Sequence, residues 1–156
     1  MERKTNVIAE EGRQDLIIER EFAIPLGSLF RAYSEPELFG QWMGTKVLVF
    51  EAKRNGSYHF ETSDPNGNVV FRAGGVFHEF SPLSKITRTF EMMEAPFGVQ
   101  LEFLEFEAIS ENRSRLRIHS VFRSVQKRDA LLQLPFAQGL NAAHKRLEEI
   151  LTKTNF

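Results

Sequence analysis

The chain has 156 residues, no cysteine, 42% hydrophobic and 26% charged residues and a formal net charge of −1, within the range of one ordinary folded domain. The lack of cysteine excludes thiol nucleophiles, thiolate metal centres and a disulfide framework, and the near-zero charge lacks the clustered basic excess of a nucleic-acid binder. No run approaches the roughly 18–20 apolar residues of a membrane span, and the short apolar stretch before Glu10-Glu11 does not make a signal peptide, so a cytoplasmic protein is expected.

Residues 1–14 are polar and aperiodic and are expected to be a flexible N-terminus, leaving 15–156 as a single domain. From Asp15 to Ala23 near-alternation and β-branched residues predict a strand, which Pro25 ends by withholding a ladder donor. The period then changes. Leu26, Leu29, Phe30 and Tyr33 recur every three or four residues as on a short helix, and Pro36 starts a second one carrying Leu38, Phe39 and Trp42.

After Gly44 the period returns to two, with turn chemistry at Asn55-Gly56, Asp64-Pro65-Asn66-Gly67, Ser81-Pro82, Pro96-Phe97-Gly98 and Glu111-Asn112-Arg113. Six strands are predicted, over 45–52, 57–63, 68–80, 84–93, 99–109 and 113–122, with Gly74-Gly75 marking a bulge or bend. A short helical piece over about 126–134 precedes Pro135. Beyond it Leu140, Ala143, Leu147, Ile150 and Leu151 mark the apolar stripe of a long helix, with Lys145 and Glu149 on its wet side.

The order strand, helix pair, six strands, long helix builds an α+β fold. A curved antiparallel sheet of six or seven strands has one long amphipathic element to cover its inner face, so the C-terminal helix is laid across it as a helix-grip. One straight helix cannot fill the concavity of a curved sheet, which makes an apolar cavity between them the natural site. The 15 phenylalanines, against two tyrosines and one tryptophan, supply a dense core or a cavity lining.

The segments Arg20-Glu21-Phe22-Ala23-Ile24-Pro25, Leu29-Phe30-Arg31-Ala32, Glu35-Pro36-Glu37-Leu38 and Gln41-Trp42-Met43-Gly44 resemble the opening of the START-like superfamily. Within it they are most similar to the branch named after the activator of the heat-shock-protein-90 ATPase, which is grouped with polyketide cyclases. Asn55 to Phe60, Asp64 to Gly67, Gly75 to Phe80, Thr89-Phe90-Glu91 and Gly139 to Ala143 with Arg146-Leu147 agree, so the likeness spans about residues 15–152. Met43 stands where a second tryptophan is usual, and Asn55-Gly56-Ser57 where a double glycine precedes the tyrosine. The resemblance implies the helix-grip fold. Its members include lipid and hormone binders, cyclases, hydrolases and co-chaperone domains, so it does not select among functions.

The inward stripes are the expected ligand-binding residues: Tyr58 and Phe60, Phe71, Arg88 with Phe90, and Leu104 with Phe106 on strands, and Phe136 and Leu140 on the covering helix. Such stripes also build solid core, and only the position of the void separates the two readings. Trp42 either caps the mouth of the cavity, which is expected to open beside it, or anchors the helical hairpin. Arg88, if inward, must snorkel or be held by a carboxylate, and could anchor an anionic ligand head. His144 lies at the edge of the helical stripe, either in the cavity or at a wet boundary.

Other patterns carry less. His59-x-Glu61 offers two potential ligands where a metal needs three or four, so no metal and no cofactor are expected. Glu102, Glu105 and Glu107 crowd one strand, but Glu105 and Glu107 alternate with Leu104 and Phe106 as on a solvated face. Gly40 to Lys46 lacks the spacing of a phosphate loop, and Asn112-Arg113-Ser114 is a glycosylation sequon in spelling only. No residue is assigned as catalytic; His144, Arg88 and Tyr58 are the acid–base candidates if any reaction occurs.

The expected function is binding of a small hydrophobic or amphipathic ligand, lipid-like or resembling an aromatic polyketide, by a monomer or homodimer. The alternatives are a domain that partners a chaperone ATPase, and a cyclase- or hydrolase-like enzyme using the same cavity.

Overall fold

A computed structural model describes residues 4–153. The expected N-terminal segment and the C-terminal end therefore fall partly outside the described residues. The elements run β1 (Asn6–Ile8), β2 (Asp15–Phe22), α1 (Leu26–Ser34), α2 (Pro36–Met43), β3 (Lys46–Phe50), β4 (Ser57–Ser63), β5 (Val69–Ser81), β6 (Lys85–Met92), β7 (Val99–Ser110), β8 (Arg113–Val121), α3 (Val125–Leu132) and α4 (Phe136–Lys153). All strand pairs are antiparallel, in the order β1-β2-β8-β7-β6-β5-β4-β3.

Seven of these strands are the ones the alternating pattern predicts, and the eighth is β1. The segment 1–14 is thus not wholly irregular. Asn6, Val7 and Ile8 pair with Glu19, Ile18 and Ile17 of β2. Three residues are too few to display a period, and what holds them is the row of backbone donors and acceptors that β2 would otherwise present as an open edge.

Local signals set the boundaries of the helices. Pro36 takes the first position of α2, and Gly44 closes that helix in the left-handed conformation, at φ 66°. Ser124 caps α3 by accepting a hydrogen bond from the Lys127 amide at 3.1 Å. Gly74 and Gly75 sit where backbones nearly touch: a Cβ on Gly74 would run into the Tyr58 carbonyl, and one on Gly75 into the Thr89 carbonyl. The register slip itself falls three residues later, between Phe77 and Glu79. The glycines let the sheet curl and the bulge adds to it.

The curled sheet presents Leu16, Ile18, Phe22, Tyr58, Phe60, Ile86, Leu104, Leu116 and Ile118 to its concave side, all buried. Helix α4 buries Ala143, His144, Leu147 and Leu151. Its principal helical neighbours are α2 and α1 rather than any strand. With α4 held by the helix pair, part of the concave face has no solid partner. Among the described residues no helix is long and apolar enough to cross a membrane.

Candidate functional site

Between the concave face and the helices lies a cavity of about 360 Å³. Its floor comes from β6, β7 and β8 through Arg88, Phe90, Met92, Gln100, Glu102, Ile118 and Ser120. Tyr58, Phe60 and Phe71 close one side, and Tyr33, Phe39, Trp42 and Met43 of the helix pair close the other. Phe136, Gly139, Leu140 and Ala143 of α4 form the roof. The volume is at the lower end of small-molecule sites, and mostly apolar walls with a few placed polar groups are their usual make-up.

A wider depression of about 920 Å³ lies over the outer face of the sheet, lined in part by Glu19, Glu21, Glu105, Glu107, Arg113 and Arg115. Its charges pair with one another: Arg113 with Glu21 at 2.9 Å, Arg115 with Glu107 at 2.8 Å and Arg117 with Glu19 at 3.3 Å. It is open to water and most of its charged groups are paired, so the interior cavity is the candidate site.

Of the residues singled out from the sequence, Trp42, Tyr58, Phe60, Phe71, Arg88, Phe90, Phe136 and Leu140 line this cavity. Leu104, Phe106 and His144 do not. Leu104 and Phe106 lie further along β7, and Phe106 packs against Phe30 and Tyr33 of α1 with ring centroids 5.0 and 5.6 Å apart. His144 turns to the other side of α4. There its Nε2 meets the Tyr33 hydroxyl at 3.2 Å and its Nδ1 the Thr5 hydroxyl at 2.8 Å, with Phe22 edge-on at 5.5 Å.

Trp42 is 2% exposed and donates its Nε1–H to the Ala32 carbonyl at 2.8 Å. It is therefore a wall of the cavity and an anchor of the hairpin at once. The incompletely buried lining residues are Phe71, Phe90 and Met92 at the sheet rim, Pro135, Phe136, Gly139 and Leu140 where α3 turns into α4, and Met43 and Arg146 next to Trp42.

The polar groups of the floor are Gln100, Ser120 and a buried ion pair. Arg88 Nε donates to Glu102 Oε1 at 2.8 Å, and the two residues are directly opposed in the β6–β7 ladder. The guanidinium carbon lies 5.8 Å from the Tyr33 ring centroid and 5.4 Å from that of Tyr58, within cation–π range. Burial pushes the phenol pKa of both tyrosines well above the ordinary value, so they stay neutral. The Tyr58 hydroxyl is already committed, donating to the Thr89 carbonyl at 2.6 Å.

Glu102 is the clearest departure from the sequence reading. It does not share the solvated face of Glu105 and Glu107; its side chain is buried with Gln100, Leu104 and Phe106. The signal was present in parity, since the even-numbered residues from 100 to 106 share a face and an inward Arg88 needs a carboxylate opposite it. Tyr33, Phe39, Gln100 and Ser120 were also passed over as lining residues, because which part of an inward stripe borders a void depends on where α4 stands off.

The three acid–base candidates do not converge. Arg88 and Tyr58 lie together on the cavity floor, while His144 is bonded to Tyr33 and Thr5 behind the wall. Burial, reinforced by the nearby Arg20 charge, lowers the His144 pKa to about 3 and keeps the imidazole neutral. Among the described residues no three His, Asp or Glu side chains gather as a metal site.

Comparison with known proteins places the geometry in context. The family model described as Activator of Hsp90 ATPase homolog 1-like protein matches residues 23–152. No curated protein matches the chain. Among solved structures, a Rhodobacter sphaeroides protein superposes with a TM-score of 0.86 at 18% identity, covering 97% of this chain and 100% of its own. A Mycobacterium smegmatis protein gives 0.83 at 15% identity, covering 97% and 99%, and a Nitrosomonas europaea protein 0.76 at 22%, covering 93% and 98%. At these identities the solved structures bear on the fold alone.

Proposed function

The chain belongs to the family of activator of Hsp90 ATPase homolog 1-like proteins, and from that premise we propose that it binds a small hydrophobic or amphipathic molecule in the cavity between the sheet and α4. The observation that carries this reading is the cavity itself, about 360 Å³ walled by aromatic and aliphatic side chains around one buried ion pair. Arg88 and Glu102 on the floor are paired with each other, and His144 lies outside the lining, so the acid–base candidates do not surround a common reacting centre, which favours binding over catalysis. Exposed apolar side chains such as Leu48, Val70, Leu83 and Leu134 are dispersed over β3, β5, the β5–β6 turn and the α3–α4 loop, which favours the cavity over a chaperone-docking face.

The test is a thermal-shift panel of fatty acids, sterols and polycyclic aromatics on the whole chain and on Gly139→Phe, which adds bulk to the cavity lining. A Cβ at Gly139 meets no atom within 4 Å, so the substitution has room. Binding to the folded state raises the melting temperature, by about 2.7 kcal/mol of stabilisation at a hundredfold excess over Kd. At least one class is expected to raise it in the native chain and not in Gly139→Phe. No response to any class would overturn the reading.

A further inference from the structure

Arg88 and Gln100 line the cavity floor, and one nitrogen donor of each, Arg88 Nη1 and Gln100 Nε2, is buried and has no hydrogen-bond partner among the described residues. Arg88 is 8% exposed and Gln100 4%. Buried donors are nearly always bonded, and the exceptions call for a reason. Both belong to one small block of the sheet: Arg88 opposes Glu102, and Phe90 opposes Gln100, two rungs apart on the same face of the β6–β7 ladder. Arg88 and Gln100 are therefore diagonal neighbours, a separation of roughly 7–8 Å between Cα atoms that long side chains readily span.

We propose that the cavity takes an uncharged ligand whose carbonyl oxygen, of the ketone, quinone or amide type, seats between Arg88 Nη1 and Gln100 Nε2. This rests on the ligand-binding reading above and specifies its chemistry. Arg88 carries no acceptor, so its unpartnered nitrogen requires one from the ligand, and a carbonyl oxygen has two lone pairs for two donors. The neutrality of the ligand follows from Glu102, which already balances the Arg88 charge at 2.8 Å. A ligand carboxylate at this depth would lose its hydration without gaining a net countercharge and would lie beside a second carboxylate. The other cation on the lining, Arg146, is exposed at the edge, and its Nε donates to the Trp42 carbonyl at 3.1 Å. Stacking surfaces from Tyr58, Phe60 and Phe90 around the donors suit a flat, conjugated body on that carbonyl.

Three naphthalenes of similar size separate the possibilities: 2-acetylnaphthalene, 2-isopropylnaphthalene and 2-naphthoate, each titrated calorimetrically into the whole chain. The ketone is expected to bind at least roughly tenfold more tightly than either of the others, as a hydrogen bond to a charged donor implies. In Gln100→Leu, and in Arg88→Met combined with Glu102→Leu so that no charge is left alone, the ketone-to-hydrocarbon ratio is expected to fall toward one. A ratio near one in the native chain, or tightest binding by 2-naphthoate, overturns the carbonyl assignment while leaving ligand binding standing. Binding of none of the three overturns both.

Discussion

The Tyr33 hydroxyl and His144 Nε2 lie 3.2 Å apart behind the cavity wall, in a buried contact that ties α1 to α4. On the other side of the imidazole, Nδ1 meets Thr5, whose hydroxyl also accepts from Arg20 Nη1 at 3.2 Å. Arg20 Nη1 donates in turn to Asn141 of α4 at 2.9 Å. A neutral imidazole uses one nitrogen as donor and the other as acceptor, so two hydroxyls satisfy it. A second proton would place a buried cation near Arg20.

Stability should therefore depend on pH through His144. Its folded-state pKa is lowered from 6.5 to about 3, so the unfolded chain takes up the proton first as pH falls. The contribution is complete above about pH 6.5 and is lost progressively between there and about pH 3, amounting to about 2 kcal/mol between pH 7 and pH 5. Urea unfolding across this range should show the decline in the native chain and a flatter profile in His144→Gln, which cannot titrate. An equal slope in both would remove His144 from the account.

The buried ion pair should show asymmetric mutational behaviour. Glu102→Leu alone leaves the Arg88 guanidinium buried without its counterion and should cost about 3–5 kcal/mol. Arg88→Met together with Glu102→Leu removes both charges and should restore most of that loss, since replacing a whole buried pair is often neutral. Denaturant midpoints of the native chain, Glu102→Leu and the double variant check this; a double variant no more stable than Glu102→Leu would contradict it.

Gly139 should be a site of easy stabilisation. It lies in the early part of α4 with open space where a Cβ would stand. Gly139→Ala should raise stability by about 0.5–1 kcal/mol through helix propensity. A loss measured by thermal unfolding would mean that the backbone there needs the freedom of glycine.

The sequence made the fold legible because its signals are local. Period-two stretches, Asn55-Gly56 and Asp64 to Gly67 as turns, and prolines at 25, 36 and 135 delimit every element from β2 onward to within a few residues. Strand β1 escaped because three residues have no period and their pairing partner is supplied by β2. The site was legible as faces but not as a volume. Alternation identified Tyr58, Phe60, Arg88 and Phe90 as inward, yet nothing in it says that α4 leans on α2 and leaves Phe136 and Leu140 over a void while Leu104 and Phe106 pack solidly under α1. His144 was ambiguous for the same reason, because a residue at the edge of a helical stripe can face either neighbour.

The most direct test of the central claim is a methyl-resolved NMR titration of the chain with 2-acetylnaphthalene. The cavity is bordered by Met43, Met92, Ile118, Leu131 and Leu140, and the outer surface carries Val70, Leu83 and Leu134, so the two sets of methyl groups report separately. Ligand binding in the cavity predicts saturable shifts at the first set, with Ile118 and Met92 moving by ring current and the second set still. Saturable shifts confined to Val70, Leu83 and Leu134, or none at the cavity methyls at saturating ligand, would contradict it.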